Sequence, residues 1–188
     1  MNLTPSPADR ERIASQVRRE LAELPEGQSR CFQTAMRGAQ ILRNEFAYNP
    51  SLQIGAFSLA GQGTFYEVDP LHPEEGLVAR IRRGDAKEYG GEYHAWLLSP
   101  DGSIVIDFSL GPWVEASFSA MRWPPANPPP PPFLWRPKAQ LVPTRRVLKG
   151  MMDEKRLAFC YEPLKGDPLN LCFEFLMPKD FALIVEQP

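Results

Sequence analysis

Cys31, His94 and Asp107 stand in the order of a thiol nucleophile, its base and the group that orients the base. Cys31 lies in Gln28-Ser29-Arg30-Cys31-Phe32-Gln33, which opens an amphipathic run. His94 lies in Glu92-Tyr93-His94-Ala95-Trp96-Leu97-Leu98, a strand-like run turned by Ser99-Pro100-Asp101-Gly102. Ser103-Ile104-Val105-Ile106-Asp107-Phe108 returns from that turn and ends on the acid. The chain has only two histidines, so the base is nearly fixed by elimination.

A thiol has a pKa near 8.5 and needs help to attack at neutral pH. The start of a helix carries roughly half a positive charge and favours the thiolate. With Ser29 as the cap, Cys31 falls in the first turn, beside backbone N–H groups that have no partner inside the helix. The Cys31 amide is then placed to face a developing oxyanion. Gln28 and Gln33 are candidates for a second donor, although amides near a helix start often only cap. Read alone, Cys31 also suits a small buried space-filler, and Cys160 and Cys172, inside apolar runs, read as that.

The hairpin decides whether His94 meets Asp107. A four-residue loop over Ser99–Gly102 pairs Leu98 with Ser103 and sets His94 opposite Asp107, with Cβ atoms about 5 Å apart. A three-residue loop sets Phe108 there instead. Pro-Asp-Gly suits either length. An acid between Ile106 and Phe108 is costly unless it finds a partner or water, and His94 would be that partner.

The elements that must hold these residues read as follows. Ser6-Pro7-Ala8-Asp9 caps a first helix, with Ile13, Val17, Leu21 and Leu24 on one stripe and Pro25 and Gly27 ending it. A second helix runs from about Arg30 to Asn44 or Phe46. Phe32, Ala35, Ala39, Leu42 and Phe46 form its buried face, and Ala35, Gly38 and Ala39 allow close approach of neighbours. Strands are expected at Leu52–Leu59, Gly63–Val68, Val78–Arg82, Glu92–Leu98 and Ser103–Phe108. Pro112–Met121 reads as a short helix. Gln140–Leu148, Leu157–Glu162 and Leu169–Leu176 read as further strands, and Phe181–Val185 as a terminal strand or helix turn. Helices first and mostly antiparallel strands after them make an α+β fold. The segment from Trp123 to Trp135 is dense in proline. It reads as a strap over the surface or, through Pro124–Pro132, as a polyproline contact for a protein partner.

The 188 residues suggest one domain spanning 1–188. A net charge of -2 gives no reason to expect a nucleic-acid partner. Three cysteines are an odd count and no disulfide scaffold, which fits a reducing compartment. No apolar run approaches membrane-spanning length, and no secretory leader is visible, so a cytoplasmic location is expected. Two histidines and no Cys-x-x-Cys pair argue against a metal at Cys31, His94 and an acid, and no cofactor is expected.

The cysteine opening a helix, the His94-Ala95-Trp96-Leu97-Leu98 string and the Ile104-Val105-Ile106-Asp107 strand together resemble the transglutaminase-like and papain-like cysteine-enzyme superfamily. The similarity covers about Gln28 to Ser109. It implies N-terminal helices packed on an antiparallel sheet and a Cys31–His94–Asp107 triad, with Trp96 a candidate to line the site. It implies thiolate attack on a peptide, amide or other acyl substrate, ending in hydrolysis or transfer. The surroundings of Cys31 lack the usual oxyanion glutamine spacing of papain. The rival expectation is an inert domain of the same fold that binds a partner through its proline-rich segment.

Overall fold

The computed structural model describes residues 4–22, 30–87 and 92–177. Helix α1 (Pro7–Leu21) begins where its capping residues predict: the Ser6 hydroxyl accepts from the Asp9 amide while the Asp9 carboxylate accepts from the Ser6 amide. Helix α2 (Arg30–Phe46) follows. The expected cap Ser29, the candidate donor Gln28 and the stretch Phe181–Val185 lie outside the described residues.

The strands are β1 (Ser51–Gly61), β2 (Thr64–Val68), β3 (His94–Leu98), β4 (Ile104–Asp107), β5 (Leu134–Pro137) and β6 (Ala158–Pro163). Every ladder between them is antiparallel. The long strand β1 is the hub, pairing β2, β3 and β6, while β4 joins β3 and β5 joins β4. Gly55 lets two of these neighbours close over β1. A Cβ there would stand 2.2 Å from the Glu162 carbonyl oxygen and 2.8 Å from the Trp96 ring.

Side chains alternate across this sheet and feed two cores. On one face Ile54, Ala95, Leu97 and Ile106 pack with Ile13 and Val17 of α1 and Ala35, Ala39 and Leu42 of α2. On the other Phe57, Trp96, Val105 and Tyr161 pack with Leu110, Val114 and Phe118 of α4 (Leu110–Ala120). Each large apolar side chain so enclosed contributes about 1.5–3 kcal/mol. His94 and Asp107 share the alternation of Trp96 and Val105, so they stand on the α4 face.

Three expected strands are helical. Leu77–Arg83 is α3, started by Gly76 and closed by Gly84 at φ 74°. The Gln140–Leu148 stretch is a 3-10 turn (Lys138–Gln140), then α5 (Arg145–Lys149) capped by Thr144. Asp167–Leu176 is α6, with Pro168 in its first turn and Cys172 and Leu176 buried one turn apart. Apolar residues at 169, 171, 173 and 175 look like strand alternation, but the Asp-Pro start and the 172/176 pair fit a helix. The helices are therefore interspersed with the strands and do not simply precede them. The fold class is α+β.

The proline segment runs along the body. The Gln62 side chain accepts from the Asn127 amide at 2.8 Å and donates to the Pro128 carbonyl at 3.2 Å. Gly111 of α4 gives it room, since a Cβ there would meet the Pro131 carbonyl at 2.9 Å. Trp123 stacks edge-on to Phe118 at 5.2 Å. No described helix is long and apolar enough to cross a membrane.

Candidate active site

The hairpin register differs from the expected one. Leu97 pairs with Ile106 and Leu98 with Val105, and the Ser99 amide donates to the Ile104 carbonyl at 2.9 Å. The four-residue loop is thus Pro100–Ser103. Extending this register puts Asp107 across from Trp96, so His94 and Asp107 are diagonal neighbours rather than directly opposed. A slip of two keeps the face, whereas a slip of one would have turned Asp107 away. Asp101 selects this turn: its carboxylate accepts from the hydroxyls of Ser99 and Ser103 and from the Ser103 amide. Those three donors hold the acid down at about 2.

The diagonal is closed by a hydrogen bond of 2.7 Å between His94 Nε2 and Asp107 Oδ2. Both side chains are fully buried. The Tyr161 hydroxyl donates to the same Oδ2 at 2.9 Å. Oδ1 accepts from the Ser109 amide at 2.8 Å and the Ser109 hydroxyl at 2.7 Å. Four donors on two oxygens satisfy a carboxylate that burial would otherwise destabilise. Asp107 also precedes the start of α4, whose positive end favours an anion. Burial pushes the Asp107 pKa up, but the His94 charge and the His94 and Ser109 hydrogen bonds outweigh it, and the net shift is downward.

His94 answers the same balance. Burial opposes the imidazolium most strongly, yet the Asp107 carboxylate, with hydrogen bonding and charge from Cys31, raises the pKa from 6.5 to about 10. Hydrogen bonding and charge from Cys31 thus act on this ring. Since Nε2 is held by Asp107, the ring nitrogen left for the sulfur is Nδ1, which is buried. The imidazole is caged by Phe57 at 4.8 Å, Trp113 at 5.3 Å and Trp96 at 6.2 Å between ring centres.

Cys31 is the second residue of α2, in the first turn as expected. Both groups are sealed from solvent: Cys31 is 1% exposed and His94 0%. Residues 23–29 and 88–91, which precede Cys31 and His94 in the chain, lie outside the described residues. Trp96 is buried beside His94 and also lines a cavity of about 280 Å³ together with Val105 and Tyr161. Gln33 follows Cys31 by two positions, about 200° round the helix, and so presents to a different face. Its Oε1 is buried without a hydrogen-bond partner among the described residues. His72, the other histidine, is exposed and accepts from the amides of Glu74 and Glu75, a local turn role.

The sequence reading missed Tyr161, Ser109, Phe57 and Trp113. For Ser109 a signal was present: an aspartate two residues ahead of a serine at a helix start is a turn-forming pattern. Tyr161 follows Phe159 at strand spacing, and a buried tyrosine hydroxyl needs a partner, but nothing local names Asp107. Cys160 and Cys172 are buried thiols pushed up to about 11 by desolvation, in keeping with structural roles. Among the described residues no cluster of His, Cys, Asp and Glu could hold a metal.

No protein-family model matches the chain. No curated protein matches it either. A solved crystal structure of a genomics target is similar to it, with a TM-score of 0.59 and 16% identity over 98% of this chain and 76% of that one. At that identity the likeness concerns the fold alone.

Proposed function

We propose that the chain is a cysteine-dependent acyl hydrolase or acyltransferase with the papain-like and transglutaminase-like arrangement, in which Cys31 attacks, His94 moves the proton and Asp107 orients His94. The observation that carries this reading is a buried imidazole whose Nε2 is held by Asp107 at 2.7 Å and whose pKa is raised by hydrogen bonding and charge from Cys31 as well as from Asp107. With His94 protonated at neutral pH, Cys31 attacks as a thiolate paired with the imidazolium, its proton held at Nδ1, and the sulfur bonds to the carbonyl carbon of an amide or thioester. The backbone N–H groups of the first turn of α2, that of Cys31 foremost, are the donors available to the oxyanion. Collapse breaks the bond to the leaving group, which takes the proton back from His94. Water or an amine then attacks the acyl-enzyme, with His94 accepting its proton and regenerating the ion pair. Hydrolysis is the default outcome, because water is always present.

The test is labelling with an electrophilic thiol probe at neutral pH. The intact protein should take one label, and Cys31→Ala should abolish it, because Cys160 and Cys172 stay protonated. Equal labelling of the two proteins sinks the site.

A further inference from the structure

We propose that Tyr161 is a positioning residue of this site: its hydroxyl shares the Asp107 carboxylate with His94 and so sets how strongly that carboxylate holds the imidazole. The proposal rests on the catalytic reading and extends it to a residue 54 positions further along the chain. The two Ser109 donors belong to the same short segment as Asp107 and move with it. Tyr161 is the donor, besides His94 itself, that comes from a separate strand. The two are indexed on one ruler, for β1 pairs Gly55 with His94 and Phe57 with Tyr161. Gly55, with no Cβ, is what lets β3 and β6 close at this point. The phenol is buried, and burial together with the Asp107 charge raises its pKa well above 10, so it stays a donor.

Each element around the imidazole brings a defined group. Cys31 comes from α2, Asp107 from β4 and Tyr161 from β6, while β1 and α4 bring the uncharged Phe57 and Trp113. Arg136 of β5 acts on Tyr161 through its charge. Removing the phenol hydroxyl leaves the carboxylate with one donor fewer, hence more basic and a stronger partner for the imidazolium.

The experiment is a nitrogen NMR titration of the imidazoles, simple here because the chain has two histidines and His72→Gln removes the exposed one. Tyr161→Phe should raise the His94 midpoint by about half a unit to one unit. It should also move the alkaline limb of Cys31 alkylation the same way. Site-specific 3-fluorotyrosine at position 161, a stronger donor of the same size, should lower the midpoint, and it decides the matter if Tyr161→Phe does not fold. A merely structural tyrosine would lower the melting temperature and leave both midpoints in place, which overturns the proposal. A shifted midpoint with an unreactive Cys31 sinks the catalytic reading and leaves the hold of Tyr161 on the pair standing.

Discussion

Gly38 of α2 lies against the ring of Phe108: a Cβ on it would stand 2.4 Å from Cδ2 and 2.5 Å from Cε2. Phe108 follows Asp107, and α2 carries Cys31, so this contact sets how closely the two halves of the candidate site approach. In an ordinary helix interior Gly→Ala gains about 0.5–1 kcal/mol. Here Gly38→Ala must push the ring away and should destabilise by about 1–3 kcal/mol. Urea unfolding reads the sign directly, and a gain in stability would mean that α2 is not pinned there. Alkylation of Cys31 should slow in the same variant.

The buried pair makes stability depend on pH. His94 has a folded pKa of about 10, above its ordinary 6.5, so its contribution is complete below about pH 6.5 and lost as pH rises toward 10. Asp107 is depressed below 3.8, so its contribution is complete above about pH 4 and lost as pH falls through its lowered value. Denaturant midpoints should therefore be highest between about pH 4 and 6.5 and should fall on the alkaline side. Asp107→Asn should cost about 3–5 kcal/mol at pH 6 and flatten that alkaline fall. An unchanged alkaline slope in the variant would assign it to other groups.

Gly102 closes the hairpin turn at φ 71° with open space around it, so its constraint is conformational and not steric. Gly102→Val should cost about 1–2 kcal/mol, and Gly102→Asn much less, because asparagine tolerates the left-handed region. Thermal melts of the two variants separate the cases. Equal losses would mean that the side chain, and not the backbone, is what the turn rejects.

Gln62 holds the proline segment at Asn127 and Pro128 through both ends of its amide. Gln62→Ala should speed hydrogen exchange at the Asn127 amide roughly tenfold, the loss of about one hydrogen bond, and leave exchange in β3 and β4 unchanged. Unchanged exchange at Asn127 would show that Trp123 and the α4 contacts hold the segment without Gln62.

Much of the architecture is written locally. The reciprocal pair of Ser6 and Asp9 starts α1, the small residues Ala35, Gly38 and Ala39 mark a closely packed α2, and alternation around Pro100-Asp101-Gly102 gives the β3–β4 hairpin. These signals involve neighbours within a few residues, where spacing and backbone preference suffice. The same local rules failed at Val78–Arg82 and Leu169–Leu176, where a short apolar run satisfies strand and helix periods alike and only packing against the rest of the protein chooses. Residue types and chain order were enough to nominate Cys31, His94 and Asp107. Tertiary structure decided the rest: a register two residues from the expected one, a carboxylate satisfied by Ser109 and Tyr161, and an imidazole sealed among Phe57, Trp96 and Trp113. The reason is physical. A buried charge is stable only with its full set of donors, and those come from strands and helices that the linear pattern does not bring together.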